Sequence, residues 1–149
     1  MSLEKKLMDA MKTAMKAKDQ EALAALRAIK SELILAKTSG SSEELTEADE
    51  IKILQKLVKQ RKDSASIFKE QNREDLVKPE LEQAAVISQF LPAQMSEEDV
   101  AKIVDEVIAQ TGANSMKDMG KIMGMVNSKL AGQADGKTIS GIVKARLSN

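Results

Sequence analysis

The chain has 149 residues, 42% of them apolar and 31% charged, with 23 basic residues against 23 acidic ones. That length allows one ordinary domain or two small ones, and that balance belongs to a folded soluble protein and not to a disordered one. There is no Cys and no His, which excludes disulfides, thiolate nucleophiles, imidazole acid–base catalysis and the usual zinc and iron ligands.

Aromatic residues are confined to Phe68 and Phe90, so the core must come from Leu, Ile, Val, Ala and the nine Met. Unbranched thioethers fill the irregular gaps of helical packing. Few Gly, two Pro and a scarcity of β-branched runs argue against sheets,. The expected fold is all-α. No apolar run approaches the roughly 20 residues of a membrane span. The start of the chain, with Leu3, Lys5, Lys6 and Leu7 among acidic residues, has the form of neither a signal nor a transit peptide. A cytoplasmic monomer is expected, in bacteria or in an organelle descended from one. No cofactor is called for, and nothing points to a metal, although a carboxylate-only Mg²⁺ site stays open.

The first helix is expected over Ser2–Lys16, with Leu3, Leu7, Met11 and Ala14 on one side,. Asp19 suits the cap of a second, Gln20–Lys37, whose buried face runs through Leu23, Leu26, Ile29, Leu33 and Ile34,. Thr38–Ser42 reads as a polar loop. Thr46 then caps a long helix with acid in its first turn, ending near Gln71–Arg73,. Its stripe is Ile51, Leu54, Val58, Ala65 and Phe68, interrupted by Arg61. A fourth helix spans about Asp75–Phe90, with Pro79 tolerable near its first turn. Leu76, Leu81, Ala84 or Ala85, Ile87 and Phe90 would face its core. Leu91–Met95 is the linker, which sets domains at 1–92 and 96–149. Ser96 starts a helix to about Gln110 that buries Val100, Ile103, Val104, Val107 and Ile108,.

The last stretch, 116–147, is two helical patterns around a small-residue turn. Met116, Met119, Met123, Val126 and Leu130 mark one apolar face, and Ile139, Ile142, Val143 and Leu147 the other,. Ser115 and Asp118 would cap the first helix. Gly132 can supply a left-handed cap, and Asp135, followed by Gly136, can start the second helix. Gly120, Gly124 and Gly141 are expected at close helix contacts, with close approach of a phosphate as the alternative. The polar faces carry Lys117, Lys121, Lys129, Lys137, Lys144 and Arg146. Residues 113–149 hold six basic side chains against two acidic ones, whereas 96–112 hold one against five. A neutral total therefore hides a positive segment able to steer an anion.

Segments 7–33, 58–76, 87–100 and 119–147 together resemble the GatB/YqeY family, and its free-standing YqeY-like members more than a fragment of the larger enzyme. Gly120, Gly132, Asp135-Gly136, Val143 and Leu147 are the most specific part. Leu26-Arg27, Arg61-Lys62-Asp63-Ser64 and Leu91-Pro92 add to it. The resemblance implies a four-helix N-terminal domain and a three-helix C-terminal domain. The latter is similar to the tail of the GatB subunit of glutamine-dependent tRNA amidotransferase. In that enzyme the tail touches tRNA while the chemistry occurs elsewhere, and similar modules are appended to some glutaminyl-tRNA synthetases. The implied partners are tRNA and amidotransferase or tRNA synthetase-type proteins. The implied label is a carbon–nitrogen ligase with glutamine as amido-N-donor.

No catalytic site is visible in the residues themselves. Glutamine hydrolysis needs an activated nucleophile, and Ser39–Ser42 lacks a Lys at any telling spacing. ATP-dependent activation needs a phosphate cradle, and Gly120–Gly124 lies inside a helical pattern. The favoured reading is a non-catalytic accessory module that binds tRNA, or a tRNA–enzyme complex, through the six basic residues of the hairpin. One alternative is a ligase subunit active only with partners. Another is a protein-interaction scaffold that uses the apolar edges of the N-terminal bundle. Arg61 is either an interior ion pair with Glu32 or Asp63, or an anion contact together with Ser64 and Arg73.

Overall fold

A computed structural model describes residues 2–39 and 44–148, and every regular element among them is helical. The chain divides into two compact units, Met1–Leu91 and Pro92–Asn149. The first holds α1 (Leu3–Ala17), α2 (Gln20–Thr38), α3 (Glu47–Glu70) and α4 (Glu74–Ser88). The second holds α5 (Glu97–Thr111), a single 3₁₀ turn (Met116–Asp118), α6 (Met119–Leu130) and α7 (Gly136–Leu147).

Helix starts follow the capping residues. The Ser2 hydroxyl accepts from the Lys5 N–H at 3.2 Å and the Asp19 carboxylate from the Ala22 N–H at 3.1 Å,. At α3 the box is reciprocal: Asp49 N–H donates to Thr46 Oγ1 at 3.1 Å, and Thr46 N–H donates to Asp49 Oδ2 at 3.0 Å,. α4 begins at Glu74 with no side-chain cap, so Pro79 falls in the second turn and not the first. The carbonyl it leaves without a helical donor belongs to Asp75, an exposed residue that water can reach,. Of the polar loop expected over Thr38–Ser42, residues 40–42 lie outside the described residues.

In the first unit α3 and α4 form the main pair, α2 packs across both, and α1 lies principally on α2. Leu26, Ile29, Leu54 and Ile87 are its most enclosed large side chains. Several positions depart from the expected faces. Ile34 is exposed because it follows the buried Leu33 and so turns about 100° away from it,. Leu81 is exposed because Val77, Ala84 and Ile87 set the buried line of α4, and Leu81 lies past its edge,. Leu57 and Ala25, absent from the expected stripes, are buried.

The second unit is built from matched triplets: Val100, Val104 and Val107 of α5, Ile122, Val126 and Leu130 of α6, and Ile139, Val143 and Leu147 of α7. Each keeps the three- and four-residue steps that hold one helix face. Ala134 closes this core at the α6–α7 turn. Ile122 is fully buried while Met116 is exposed, so the α6 face centres on Ile122 and not on the methionines. Met119, Met123 and Met125 are half-buried at its margin.

Candidate nucleic-acid interface

α5 supplies the platform for the hairpin. Ser96 accepts from the Asp99 N–H at 3.2 Å, with Glu97, Glu98 and Asp99 in the positively polarised first turn,. Gly112 ends the helix at φ +68°, a conformation glycine adopts without a Cβ clash,. The start of the hairpin differs from expectation. Neither Ser115 nor Asp118 caps by its side chain. Instead the Asp118 carboxylate reaches back to the Asn114 N–H at 3.4 Å, and the 3₁₀ turn feeds directly into α6.

The turn between α6 and α7 has two left-handed residues. Ala131, at φ 46°, is the C-cap of α6, and its N–H bonds to the Asn127 carbonyl. Gly132 follows at φ 87° and turns the chain toward α7. Asp135 then caps α7 by accepting from the Thr138 N–H at 2.7 Å, and Gly136 is the first helical residue.

The end of the segment expected to be the linker is fastened to this turn. Met95 N–H donates to the Gln133 carbonyl at 2.8 Å, and the Gln94 amide donates to the Gly132 carbonyl at 3.0 Å. No pattern in the sequence signals this fastening. At the other end of the hairpin, Ser148 Oγ lies 3.7 Å from Met116 Sδ, which brings the end of α7 to the start of the 3₁₀ turn.

Helical geometry sets Lys117, Lys121, Gly124 and Ser128 on the side of the 3₁₀–α6 segment away from Ile122 and Val126. On α7, Lys137, Gly141 and Lys144 likewise lie away from Ile139 and Val143. Lys117, Lys121, Lys129, Lys137 and Lys144 are all exposed. None of the five is in an ion pair among the described residues. Arg146 differs from them: its Nε donates to Asp105 Oδ1 of α5 at 2.9 Å. That pair joins α7 to α5 and removes Arg146 from the set of uncommitted cations.

The glycines correct the expected packing role. A Cβ built on Gly120, Gly124, Gly136 or Gly141 meets nothing within 4 Å. No neighbouring helix needs Gly120 to be small. These residues instead leave bare backbone beside Lys121, Lys137 and Lys144.

The second candidate group, Arg61, Ser64 and Arg73, is not assembled. Arg61 donates through Nε to Gln83 Oε1 at 3.4 Å, and Gln83 donates in turn to Glu21 Oε2 at 2.9 Å. The chain of polar groups thus links α3, α4 and α2, through Glu21 and neither Glu32 nor Asp63. Asp63 pairs with Lys59 at 2.6 Å. Arg73 is held by both oxygens of Asp75, at 3.1 and 2.9 Å, which pushes the guanidinium up and the carboxyl down. It stands beyond the end of α3, about 14 Å of helix from Arg61. Ser64 is half-buried between them along the helix.

No helix of the described residues is long and apolar enough to cross a membrane. Among proteins of known name, the chain is 35% identical over 103 residues to the E subunit of Glutamyl-tRNA(Gln) amidotransferase of Thermococcus gammatolerans, a match covering 66% of this chain but 16% of that protein. It is 30% identical over 124 residues to the mitochondrial protein Altered inheritance of mitochondria protein 41 of Clavispora lusitaniae, covering 81% of this chain and 72% of the relative. The family model of the YqeY-like protein matches residues 4–147, nearly the whole chain and both helical units, so the chain belongs to the YqeY-like family.

Proposed function

We propose that the protein is an accessory module of tRNA-dependent amidotransferase type. It binds tRNA, or a complex of tRNA with an amidotransferase or synthetase, through the α6–α7 hairpin. The carrying observation is the set of five exposed lysines, free of ion pairs among the described residues, on the 3₁₀–α6–α7 segment. Ammonium groups arranged this way make phosphate contacts, which give affinity and salt dependence without reading bases. Exposed backbone at Gly124 and Gly141 lets a phosphate strand come closer than a side chain would permit,. With Phe68 and Phe90 as the chain's aromatics, base stacking adds little, and selectivity for a folded RNA rests on shape,. The similarity to part of the Thermococcus gammatolerans amidotransferase protein supports the amidotransferase association. The setting we propose is the cytoplasm of a bacterium or the equivalent compartment of an organelle.

The test is binding of bulk tRNA to the purified protein as salt rises, beside a variant carrying Lys117→Glu, Lys121→Glu, Lys137→Glu and Lys144→Glu. Micromolar binding that falls steeply with salt and disappears in the variant supports the reading. Absence of binding at low salt removes RNA contact as a stand-alone activity.

A further inference from the structure

A second surface belongs to the first unit and shares no residue with the basic hairpin. Among the described residues seven large apolar side chains are exposed, and four of them, Met8, Met15, Ile34 and Leu35, belong to α1 and α2. Two of these, Met8 and Ile34, stand at one cleft. Between the two helices lies a cleft of about 260 Å³ whose apolar lining is Leu7, Met8, Met11, Leu33 and Ile34. Among the described residues its lining comes from α1 and α2 alone.

The cleft extends over Glu4–Met11 on one helix and Lys30–Lys37 on the other, two turns or about 11 Å,. That is the length over which a helix presents anchors at i, i+3 or i+4, and i+7. Met8 and Met11 give the wall a lining that adapts to the anchor's shape. The rim is positive. Lys30 and Lys37 border the cleft on its α2 side, Lys37 is paired with Glu4 of α1, and Lys30 has no ion pair among the described residues. Residues 3–38 as a whole carry eight basic and five acidic side chains. A concave apolar floor with an unpaired lysine on its α2 edge fits a ridge of apolar side chains that carries carboxylates along one flank.

We propose that the α1–α2 cleft receives an acidic amphipathic helix of a partner protein, its apolar stripe seated on Met8, Met11 and Ile34 and the carboxylates of one flank meeting Lys30. The inference does not depend on RNA binding by the hairpin.

The test titrates the full-length protein into a labelled amphipathic peptide of about 18 residues, with Leu along one stripe and Glu along one flank. A matched peptide with Lys for Glu, and vesicles of phosphatidylcholine and phosphatidylglycerol, run alongside. The expected result is saturable binding of the Glu peptide, at least about fivefold tighter than the Lys peptide. Ile34→Glu and Met8→Glu should each weaken it by about tenfold or more. Both side chains are exposed, and unchanged melting temperatures would show that each variant is folded. Methyl NMR shifts should centre on Met8 and Met11. The proposal is overturned by no binding, by equal affinity for the two peptides, by indifference to both variants or by binding to vesicles alone. It is also overturned if the cleft proves to be occupied by a second copy, seen as dimerisation abolished by Ile34→Glu. The four-lysine variant should keep peptide binding whether or not the wild type binds tRNA, which separates this result from the hairpin's.

Discussion

Asp49 and Glu50 are neighbours at the start of α3 with opposite acid–base behaviour. The N–H and hydroxyl of Thr46 hold the Asp49 carboxyl below the usual carboxylate range. Its contribution to stability is therefore present at neutral pH and lost as pH falls through that lowered value. Burial, with Glu47 nearby, raises Glu50 despite the opposing charges of Lys37 and Lys6. Its ionised form is the one folding disfavours, so the stability it contributes is present in acid and lost as pH rises through the raised value. We expect Asp49→Asn to lower Tm at pH 7 and Glu50→Gln to raise it modestly, with both differences fading toward pH 3. Circular dichroism melts across that range check both signs. Gly120 and Gly124 make another residue-scale case. They are helical and exposed, with open space where a Cβ would go. Gly120→Ala and Gly124→Ala should each stabilise by up to about 1 kcal/mol. If phosphate approaches this backbone, Gly124→Ala should also weaken tRNA binding, and paired melting and binding measurements separate the effects.

At the scale of elements, the hairpin depends on its core triplets more than on its caps. Ile122 is fully enclosed by the second unit's core, so Ile122→Ala should cost about 2–5 kcal/mol,. The expected signature is faster amide exchange at Val104, Val126 and Val143. Removing the Asp135 cap is milder: Asp135→Ala should cost about 1 kcal/mol, read as a lowered Tm,. The Arg146–Asp105 pair is exposed at both ends, so its loss should change stability by less than about 1 kcal/mol,. Helix positions are legible in the sequence because caps and apolar periodicity are local. The centre of each buried arc is less so. Met116 and Ile122 both sit on an apolar pattern, and only packing against α5 and α7 decides that Ile122 is enclosed and Met116 is not.

For the whole molecule, a net charge of zero conceals a separation of sign that matters for binding. Five phosphate contacts would give a slope of log affinity against log salt of roughly −4. Each lysine removed should flatten it by just under one unit. A slope unchanged in the four-lysine variant would move the RNA contact away from the hairpin. The candidate interface is half visible in the sequence: the count of lysines can be read there, their freedom from partners cannot. Along the chain Arg146 is equivalent to its neighbours, and it is Asp105, 41 residues earlier, that holds it. Arg61 and Arg73, expected together at one anion contact, are separated by about 14 Å of helix, and each is held by a different partner, Gln83 and Asp75,.

By itself the sequence determined the all-helical architecture, most helix ends and the segregation of charge, because propensity, capping and periodicity act within a few residues. Only the tertiary structure decided which cations are committed, that no neighbouring helix needs the hairpin glycines to be small, how Gln94 and Met95 are fastened to the turn, and that α1 and α2 leave an open apolar cleft. Each of these depends on what a distant part of the chain brings alongside, and spacing along a single helix carries no record of that.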